Sequence, residues 1–212
     1  MHAWTALAMI PVGFAAGWFL SVLSASYCGP PSRARRLAIA AVTAVVCAAF
    51  GWRFGFDAAL PAYLYLAVVG TLLAFIDVAV KRLPDRLTLP SYLVGAALLG
   101  VAVPVTGGGG ARFGYALIGM AVLWLLYGVQ YFFAPSQIGR GDVKLAGVLG
   151  LYLGWLGQAI WMIGVVLGFM FGGLVAIGLL VSRKASRKSE MPFGPYMIAG
   201  AITAMLISGP PA

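Results

Sequence analysis

Histidine, cysteine and nucleotide-binding motifs are scarce or missing in this 212-residue chain, and each shortage excludes a kind of active site. His2 is the one histidine, so a Ser–His or Cys–His catalytic pair is poorly supplied. The two cysteines, Cys28 and Cys47, have no CxxC spacing and indicate neither a zinc site nor a disulfide framework. No G-x-x-x-x-G-K-[ST] segment exists to bind a nucleotide phosphate. We therefore expect neither a metal nor a cofactor.

Charged residues are also few, whereas hydrophobic residues dominate. Only 9% of the chain is charged and 62% is hydrophobic. A soluble domain of this length could not bury so much apolar surface, so lipid must be the solvent. The 29 glycines suit close packing between membrane helices. The composition predicts an all-α, polytopic membrane bundle that forms a single domain over 1–212.

Apolar runs predict about eight transmembrane helices. A membrane helix needs roughly 17–25 apolar residues. Runs near or above that length occur at 4–25, 37–52, 60–77, 88–104, 113–133, 160–181 and 192–209. A shorter, glycine-rich run at about 144–157 is the candidate eighth span. Because His2 alone precedes the first run in place of a basic segment, we expect a retained span rather than a signal peptide.

The basic residues decide between seven and eight spans. Twelve of the 14 Lys and Arg residues lie in four loops: Arg33, Arg35 and Arg36; Lys81, Arg82 and Arg86; Arg140 and Lys144; Arg183, Lys184, Arg187 and Lys188. Eight spans with an outer N-terminus bring all four clusters to the cytoplasm, as the positive-inside rule requires. The net charge of +9 then reflects orientation and contact with anionic lipid, and no nucleic-acid partner is expected.

Five acidic residues remain, and two stand at the edges of apolar runs. Asp77 ends one run and Asp142 opens another, whereas Asp57, Asp85 and Glu190 lie in the predicted loops. A carboxylate at such an edge is costly to desolvate, so a functional role is its default interpretation. The predicted topology brings Asp77 and Asp142 to the same, cytoplasmic side of the membrane.

Helix capping is the structural alternative for two of the acids. Asp85 stands three residues before Thr88 and could cap the helix that begins there, while Asp142 could cap a short helix from Val143. Asp77 has no such role, because an anion at a helix C-terminus opposes the helix dipole. Gly139 and Gly141 flank the second segment, and we expect them to permit a backbone geometry or a close approach that other residues would prevent.

A pair of neighbouring carboxylates can hydrolyse an amide without a metal or a covalent intermediate. The two groups cannot both ionise cheaply, so one retains a proton. The ionised member takes a proton from water while the protonated member polarises the carbonyl. Asp77 and Asp142 are the candidates for this pair.

Three segments together resemble the type IV prepilin peptidases, which are membrane aspartic proteases of the GxGD class. The segments are Asp77 followed by Leu83-Pro-Asp-Arg-Leu-Thr-Leu-Pro90, then Gly139-Arg-Gly-Asp-Val-Lys-Leu145, and Pro192-Phe-Gly-Pro-Tyr196. They occur in the family's order and indicate a peptidase core at 60–212.

The resemblance implies a function and a set of site residues. Asp77 and Asp142 would be the catalytic pair, with Asp85, Gly139, Gly141 and Lys144 as supporting motif residues. The reaction would be removal of a short basic leader from prepilins or pseudopilins, after a glycine and before the hydrophobic pilin helix. The family's active site faces the cytoplasm.

Two features of this chain differ from the longer family members. Those members carry a cytoplasmic N-terminal region with paired cysteines, which is linked to methylation of the new N-terminus. Here the loop at about 27–36 is short and holds Cys28 alone, so the resemblance implies a peptidase-only short form. Val78-Ala-Val80 also replaces the more polar residues often found after the first aspartate.

Two other classes of function use the same residues. A small transporter could bind an ion or a proton with Asp77 and Asp142, although the repeated halves and broken helices typical of transporters are not evident. A non-catalytic pilus assembly factor could retain the scaffold, although loss of an acid would then be expected.

Overall fold

The protein is described by a computed structural model that covers residues 2–135, 138–182 and 191–209. Within these ranges every regular element is helical. The α-helices are α1 (Ala3–Leu20), α2 (Ala25–Cys28), α3 (Arg33–Phe54), α4 (Leu60–Val80), α5 (Asp85–Ala102), α6 (Gly109–Phe133), α7 (Arg140–Leu156), α8 (Gln158–Val181) and α9 (Gly194–Ser208). Short 3-10 segments, Ser21–Ser24 and Val103–Val105, follow α1 and α5. The predicted all-α fold class is confirmed.

Six helical segments in the described ranges are long and apolar enough to cross a membrane, and the protein is therefore a multi-pass membrane protein. They are Ala3–Cys28, Arg33–Phe54, Leu60–Val80, Asp85–Val105, Gly109–Phe133 and Gln158–Val181. The other two helices of comparable size are shorter: α7 has 17 residues and α9 has 15. Every predicted apolar run overlaps one of these eight elements. That all eight cross the bilayer stays a proposal.

The glycine-rich helix α7 is the most enclosed of the long helices. From Asp142 to Trp155 every residue except Lys144 is buried. Its neighbours are α5, α6, α8 and α9. The backbones of α6 and α7 meet at Gly119 and Gly150, where a side chain on either glycine would strike the other helix. The run that looked like a marginal span thus forms a 17-residue helix that is surrounded by four other helices.

Small residues also join α8 to α9. Gly164, Gly168 and Gly172 are the buried residues of α8, and the rest of that helix is more exposed. Gly200 of α9 lies against the backbone of Gly164 and Gly168. These contacts make α8 and α9 a closely packed pair.

Helix ends determine where the acidic residues lie. Helix α4 ends at Val80 because Lys81 adopts a left-handed conformation with φ of 52°, and Pro84 then precedes α5. The C-terminal end of α4 meets the N-terminal end of α9 at Asp77 and Gly194, and the segment after α4 meets the N-terminal end of α7 at Leu83 and Gly141. At the opposite end, the Arg53 side chain donates a hydrogen bond of 2.8 Å to the Leu206 carbonyl and so joins α3 to α9.

Candidate active site

Asp77 lies in the last turn of α4 and is 4% exposed. Its Oδ2 atom accepts a hydrogen bond of 3.1 Å from the backbone N–H of Gly194, the first residue of α9. The N-terminal end of α9 therefore offers the carboxylate a positive dipole end, which offsets the opposing dipole of α4. A Cβ atom at position 194 would lie 2.8 Å from this oxygen, so the contact requires glycine.

Asp142 is the third residue of α7 and is 9% exposed. Its Oδ2 atom accepts a hydrogen bond of 3.1 Å from the N–H of Gly139, the residue that caps the helix. The predicted capping role of Asp142 is therefore partly right, because its carboxylate does bind an N–H at the helix N-terminus. The helix, however, begins at Arg140 rather than Val143. One carboxylate oxygen of each acid is held by a backbone N–H.

The glycines of the second motif allow close approach rather than unusual backbone angles. Gly139 has φ of −76°, and neither Gly139 nor Gly141 has a positive φ. A Cβ at position 141 would lie 2.8 Å from the Cβ of Leu83, and one at position 139 would lie 3.3 Å from the Asp142 carboxylate. The expectation of a special backbone geometry is wrong, and the expectation of a steric requirement is confirmed at Gly141.

Leu83 joins the three segments around the acids. Its side chain is buried, and a Cβ atom at Gly141 of α7 or at Gly194 of α9 would lie 2.8 Å or 3.4 Å from it, respectively. Gly141 directly precedes Asp142, and Gly194 binds Asp77, so Leu83 lies between the segments that carry the two acids. Two carboxylates are thus brought together in a site from which most water is excluded, at the end of the bundle where three helix termini meet.

Asp85 and Lys144 form an ion pair beside this site. The Lys144 Nζ atom lies 2.7 Å from both carboxylate oxygens of Asp85. The predicted capping role of Asp85 is wrong, because Pro84 occupies the N-cap position and Asp85 makes no capping hydrogen bond. Asp85 still lies in the first turn of α5, where a negative charge complements the dipole. The pair joins the N-terminal turns of α5 and α7.

Tyr92 adds a second link between the same helices. Its hydroxyl donates a hydrogen bond of 2.6 Å to the Lys144 carbonyl. A Cβ at position 147 would strike this hydroxyl, so Gly147 makes room for it. Neither the Asp85–Lys144 pair nor Tyr92 was foreseen as a contact, since the partners lie more than 50 positions apart in sequence.

Tyr127 of α6 lies near the start of α7 and belongs to an aromatic cluster. It is 2% exposed, and a Cβ at the adjacent Gly128 would lie 3.8 Å from Val143, the residue that follows Asp142. Its ring centroid lies 6.4 Å from that of Phe193 and 6.0 Å from that of Phe169. Phe193 directly precedes the glycine that binds Asp77, so the cluster borders both acids. No sequence motif pointed to Tyr127.

Comparison with known proteins identifies the family. A model described as the type IV leader peptidase family matches residues 64–181, which is more than half of the chain. The chain belongs to this family. The predicted resemblance is therefore confirmed, and the two aspartates and the first two motifs fall within the matched region. No solved structure shows a significant match.

Several curated relatives of this protein share one name, prepilin leader peptidase/N-methyltransferase. The protein of Aeromonas hydrophila is 34% identical over 94% of this chain and 67% of its own length. The protein of Aeromonas salmonicida is 40% identical over 66% of this chain and 47% of its own length. The protein of Pseudomonas putida is 34% identical over 73% and 52%, respectively. The chain spans between about half and two thirds of the relatives it matches.

All six predicted site residues lie at one end of the bundle. Asp77, Asp142, Gly139 and Gly141 converge directly, while Asp85 and Lys144 pair at the more exposed edge. Gly194 was not assigned a role from the sequence, although Pro192-Phe-Gly-Pro-Tyr196 was noticed as a motif. A glycine between two prolines at the start of a helix was the available signal for a close backbone contact.

Proposed function

We propose that this protein is a membrane-embedded aspartic endopeptidase that removes the short basic leader from type IV prepilins or pseudopilins. The observation that carries the proposal is that Asp77 of α4 and Asp142 of α7 are both buried next to Leu83, which lies beside Gly141 and near the Gly194 that binds Asp77. Membership of the type IV leader peptidase family and the names of the relatives support the substrate class. The peptidase core at 60–212 and the absence of methyltransferase activity stay predictions.

The chemistry follows from two carboxylates that share one proton. The ionised aspartate removes a proton from a water molecule, and the resulting oxygen nucleophile attacks the carbonyl carbon of the scissile bond. The protonated aspartate donates a hydrogen bond to the carbonyl oxygen and stabilises the negative charge that develops there. Transfer of a proton to the leaving nitrogen then breaks the C–N bond and releases the leader. Burial strengthens each of these interactions by excluding water.

The N–H groups of Gly194 and Gly139 orient the two acids. Each binds one carboxylate oxygen and leaves the other available for water or substrate. In this proposal Asp85 and Lys144 act indirectly, since their ion pair fixes α5 against α7 and so fixes the loop that carries Leu83. Gly141 also helps to fix this loop, because the absence of a side chain leaves room for Leu83 between the two motifs.

A cytoplasmic orientation of the site is supported by charge. The end of the bundle that carries both acids also carries Lys81 and Arg82 between α4 and α5, Arg86 in the first turn of α5, and Arg140 at the start of α7. Arg53 and Arg112 lie toward the opposite end. Basic residues remain in the cytoplasm when membrane proteins insert. The fourth predicted basic cluster, Arg183 to Lys188, lies outside the described residues.

The proposal is tested by co-expressing this protein with a candidate prepilin and measuring the mass of the product. Wild-type protein is expected to shorten the prepilin by its leader, whereas the double variant Asp77→Asn/Asp142→Asn leaves it full length. Membrane levels of both proteins are compared by immunoblot, so that loss of protein is not taken for loss of catalysis. Leader removal by the double variant at the wild-type rate contradicts the proposal.

A further inference from the structure

Phe193 directly precedes the glycine that binds Asp77, and its ring packs against two other helices. The ring centroid lies 5.2 Å from that of Phe169 in α8 and 6.4 Å from that of Tyr127 in α6. Centroid separations of roughly 4.5–7 Å are typical of attractive aromatic pairs. The start of α9 is therefore held by contacts with two helices that carry neither acid.

Gly172 of α8 lies against the same ring. It is buried, and a Cβ atom at this position would lie 3.1 Å from Cε2 and 3.4 Å from Cδ2 of Phe193. Carbon atoms pack best at about 3.5–4.0 Å, so a side chain at position 172 would push the ring away from α8. The missing side chain lets the Phe193 ring lie close to the α8 backbone.

The peptide group between Phe193 and Gly194 carries the N–H that binds Asp77. Its carbonyl belongs to Phe193 and accepts hydrogen bonds of 3.1 Å and 3.2 Å from the N–H groups of Tyr196 and Met197. Because a trans peptide group is planar, its N–H points away from its carbonyl and hence out of the N-terminal end of α9. The donor nitrogen lies 3.1 Å from the Asp77 Oδ2 atom. Helix α9 thus fixes the direction of this N–H.

We propose that Phe193 is a positioning residue, whose ring places the Gly194 N–H against the Asp77 carboxylate. The inference rests on the proposed function, in which Asp77 is one of the two catalytic acids. The ring is attached to the Cα atom at which this peptide group begins, so a shift of the ring moves the donor as well. Contacts made by α6 and α8 therefore determine how an acid of α4 is held.

Aromatic packing that only stabilises the fold is the structural alternative, and a cluster at the opposite end of the bundle provides its control. Phe54 of α3 is 3% exposed, and its ring centroid lies 4.4 Å from that of Tyr63 and 6.0 Å from that of Phe50. Loss of either ring, at 54 or at 193, is expected to lower the unfolding temperature. Only the ring at 193 precedes a residue that binds an acid.

The kinetic test compares Phe193→Leu with Phe54→Leu. Phe193→Leu is expected to lower kcat for prepilin cleavage roughly tenfold, because a misplacement of about 1 Å can cost about 100-fold. Its KM is expected to stay at the wild-type value, since in this proposal the ring acts through Gly194 and does not touch the prepilin. Phe54→Leu is expected to leave both constants unchanged. A wild-type kcat in Phe193→Leu overturns the inference.

Two adjacent glycines of α8 provide a second test that leaves Phe193 in place. A Cβ at position 172 would press on the Phe193 ring, whereas nothing lies within 4 Å of a Cβ at position 173. Both substitutions replace glycine by alanine in one helix, so their effects on helix propensity are matched. Gly172→Ala is expected to lower kcat several-fold and Gly173→Ala to leave it unchanged. Equal kcat values in the two variants overturn the inference.

The NMR signal of the Gly194 amide separates this inference from the proposed function, because it needs no cleavage. In protein labelled at the glycine nitrogens, this signal is the one that Gly194→Ala lacks, and Asp77→Ala gives its position without the carboxylate. Phe193→Leu and Gly172→Ala are expected to move it toward that position, and Gly173→Ala is not. A signal that stays in place in Phe193→Leu overturns the inference, whatever the rate of cleavage. A signal that moves in a protein whose wild type cleaves no prepilin supports the positioning contact and contradicts the proposed function.

Discussion

The Asp77 carboxylate is held by the backbone N–H of Gly194, a residue 117 positions further along the chain. The last helix thereby supplies part of the site, although both acids come from earlier helices. A backbone N–H fixes the carboxylate more firmly than a donor on a flexible side chain would. Only the Asp77 side chain loses conformational entropy when this hydrogen bond forms.

Gly194→Ala is expected to reduce leader cleavage by about 100-fold, because a small misplacement of a catalytic group can cost that much. The added Cβ would lie 2.8 Å from the Asp77 oxygen and would push the carboxylate or α9 away. Initial rates with purified protein in lipid measure the effect. Gly178→Ala is the control, since nothing lies within 4 Å of a Cβ at that position. Equal rates in the two variants would show that this contact does not align Asp77.

Gly141→Ala is expected to destabilise the protein by about 1–3 kcal/mol, as overpacking of a well-packed contact does. The new Cβ would meet the Leu83 Cβ at 2.8 Å and force the two motif segments apart. Thermal unfolding in detergent measures the change, and cleavage should fall with it. Gly128→Ala serves for comparison, because its Cβ would lie 3.8 Å from Val143. An unchanged unfolding temperature in Gly141→Ala would rule out the close packing described here.

The Asp85–Lys144 pair is expected to position the motifs rather than to take part in the reaction. Asp85→Asn should lower kcat less than either catalytic substitution does. The exchange Asp85→Lys/Lys144→Asp should recover part of the activity that Asp85→Lys alone loses, because the exchanged charges can pair again. Stability should change little, as an exposed pair contributes about 1 kcal/mol or less. Failure of the exchange to recover any activity would contradict the positioning role.

The orientation of the bundle predicts which loops react with an impermeant thiol reagent. In a protein with Cys28 and Cys47 replaced by Ala, a cysteine at Gly107 should be labelled from outside intact cells. A cysteine at Arg82 should be labelled only after the membrane is opened. Both positions are exposed, so access alone decides the result. Labelling of Arg82→Cys from outside intact cells would place the two acids on the outer face of the membrane and would contradict the cytoplasmic orientation.

The all-α fold class was largely predictable because most apolar runs approach or exceed the length that a membrane helix needs. The basic loops predicted which helix ends share a side of the membrane. Asp77 and Asp142 could be assigned to one side for the same reason. Helix α7 was harder to interpret, because a helix surrounded by protein needs glycine for close contact rather than a long apolar stretch. Sequence therefore predicted its presence but not its central position.

Contacts between distant segments explain what could not be predicted. The Asp85–Lys144 pair and the Gly194 N–H bond join residues 59 and 117 positions apart. Asp85 looked like a helix cap, but proline at the preceding position takes the cap site and leaves the carboxylate free to bind Lys144. Tyr127 carries no local pattern that distinguishes it from other aromatic residues of a membrane helix.

The most direct test of the central claim is the single-turnover rate of prepilin cleavage by purified Asp77→Asn and Asp142→Asn in lipid, each compared with the wild type. Asp57→Asn is the control, because Asp57 lies at the other end of α4, where its carboxylate accepts a hydrogen bond from the Ala59 N–H. The account predicts that each catalytic variant folds, binds the prepilin and cleaves none of it, while the control cleaves at the wild-type rate. Cleavage by either catalytic variant at a rate near that of the wild type would contradict the aspartate-pair mechanism.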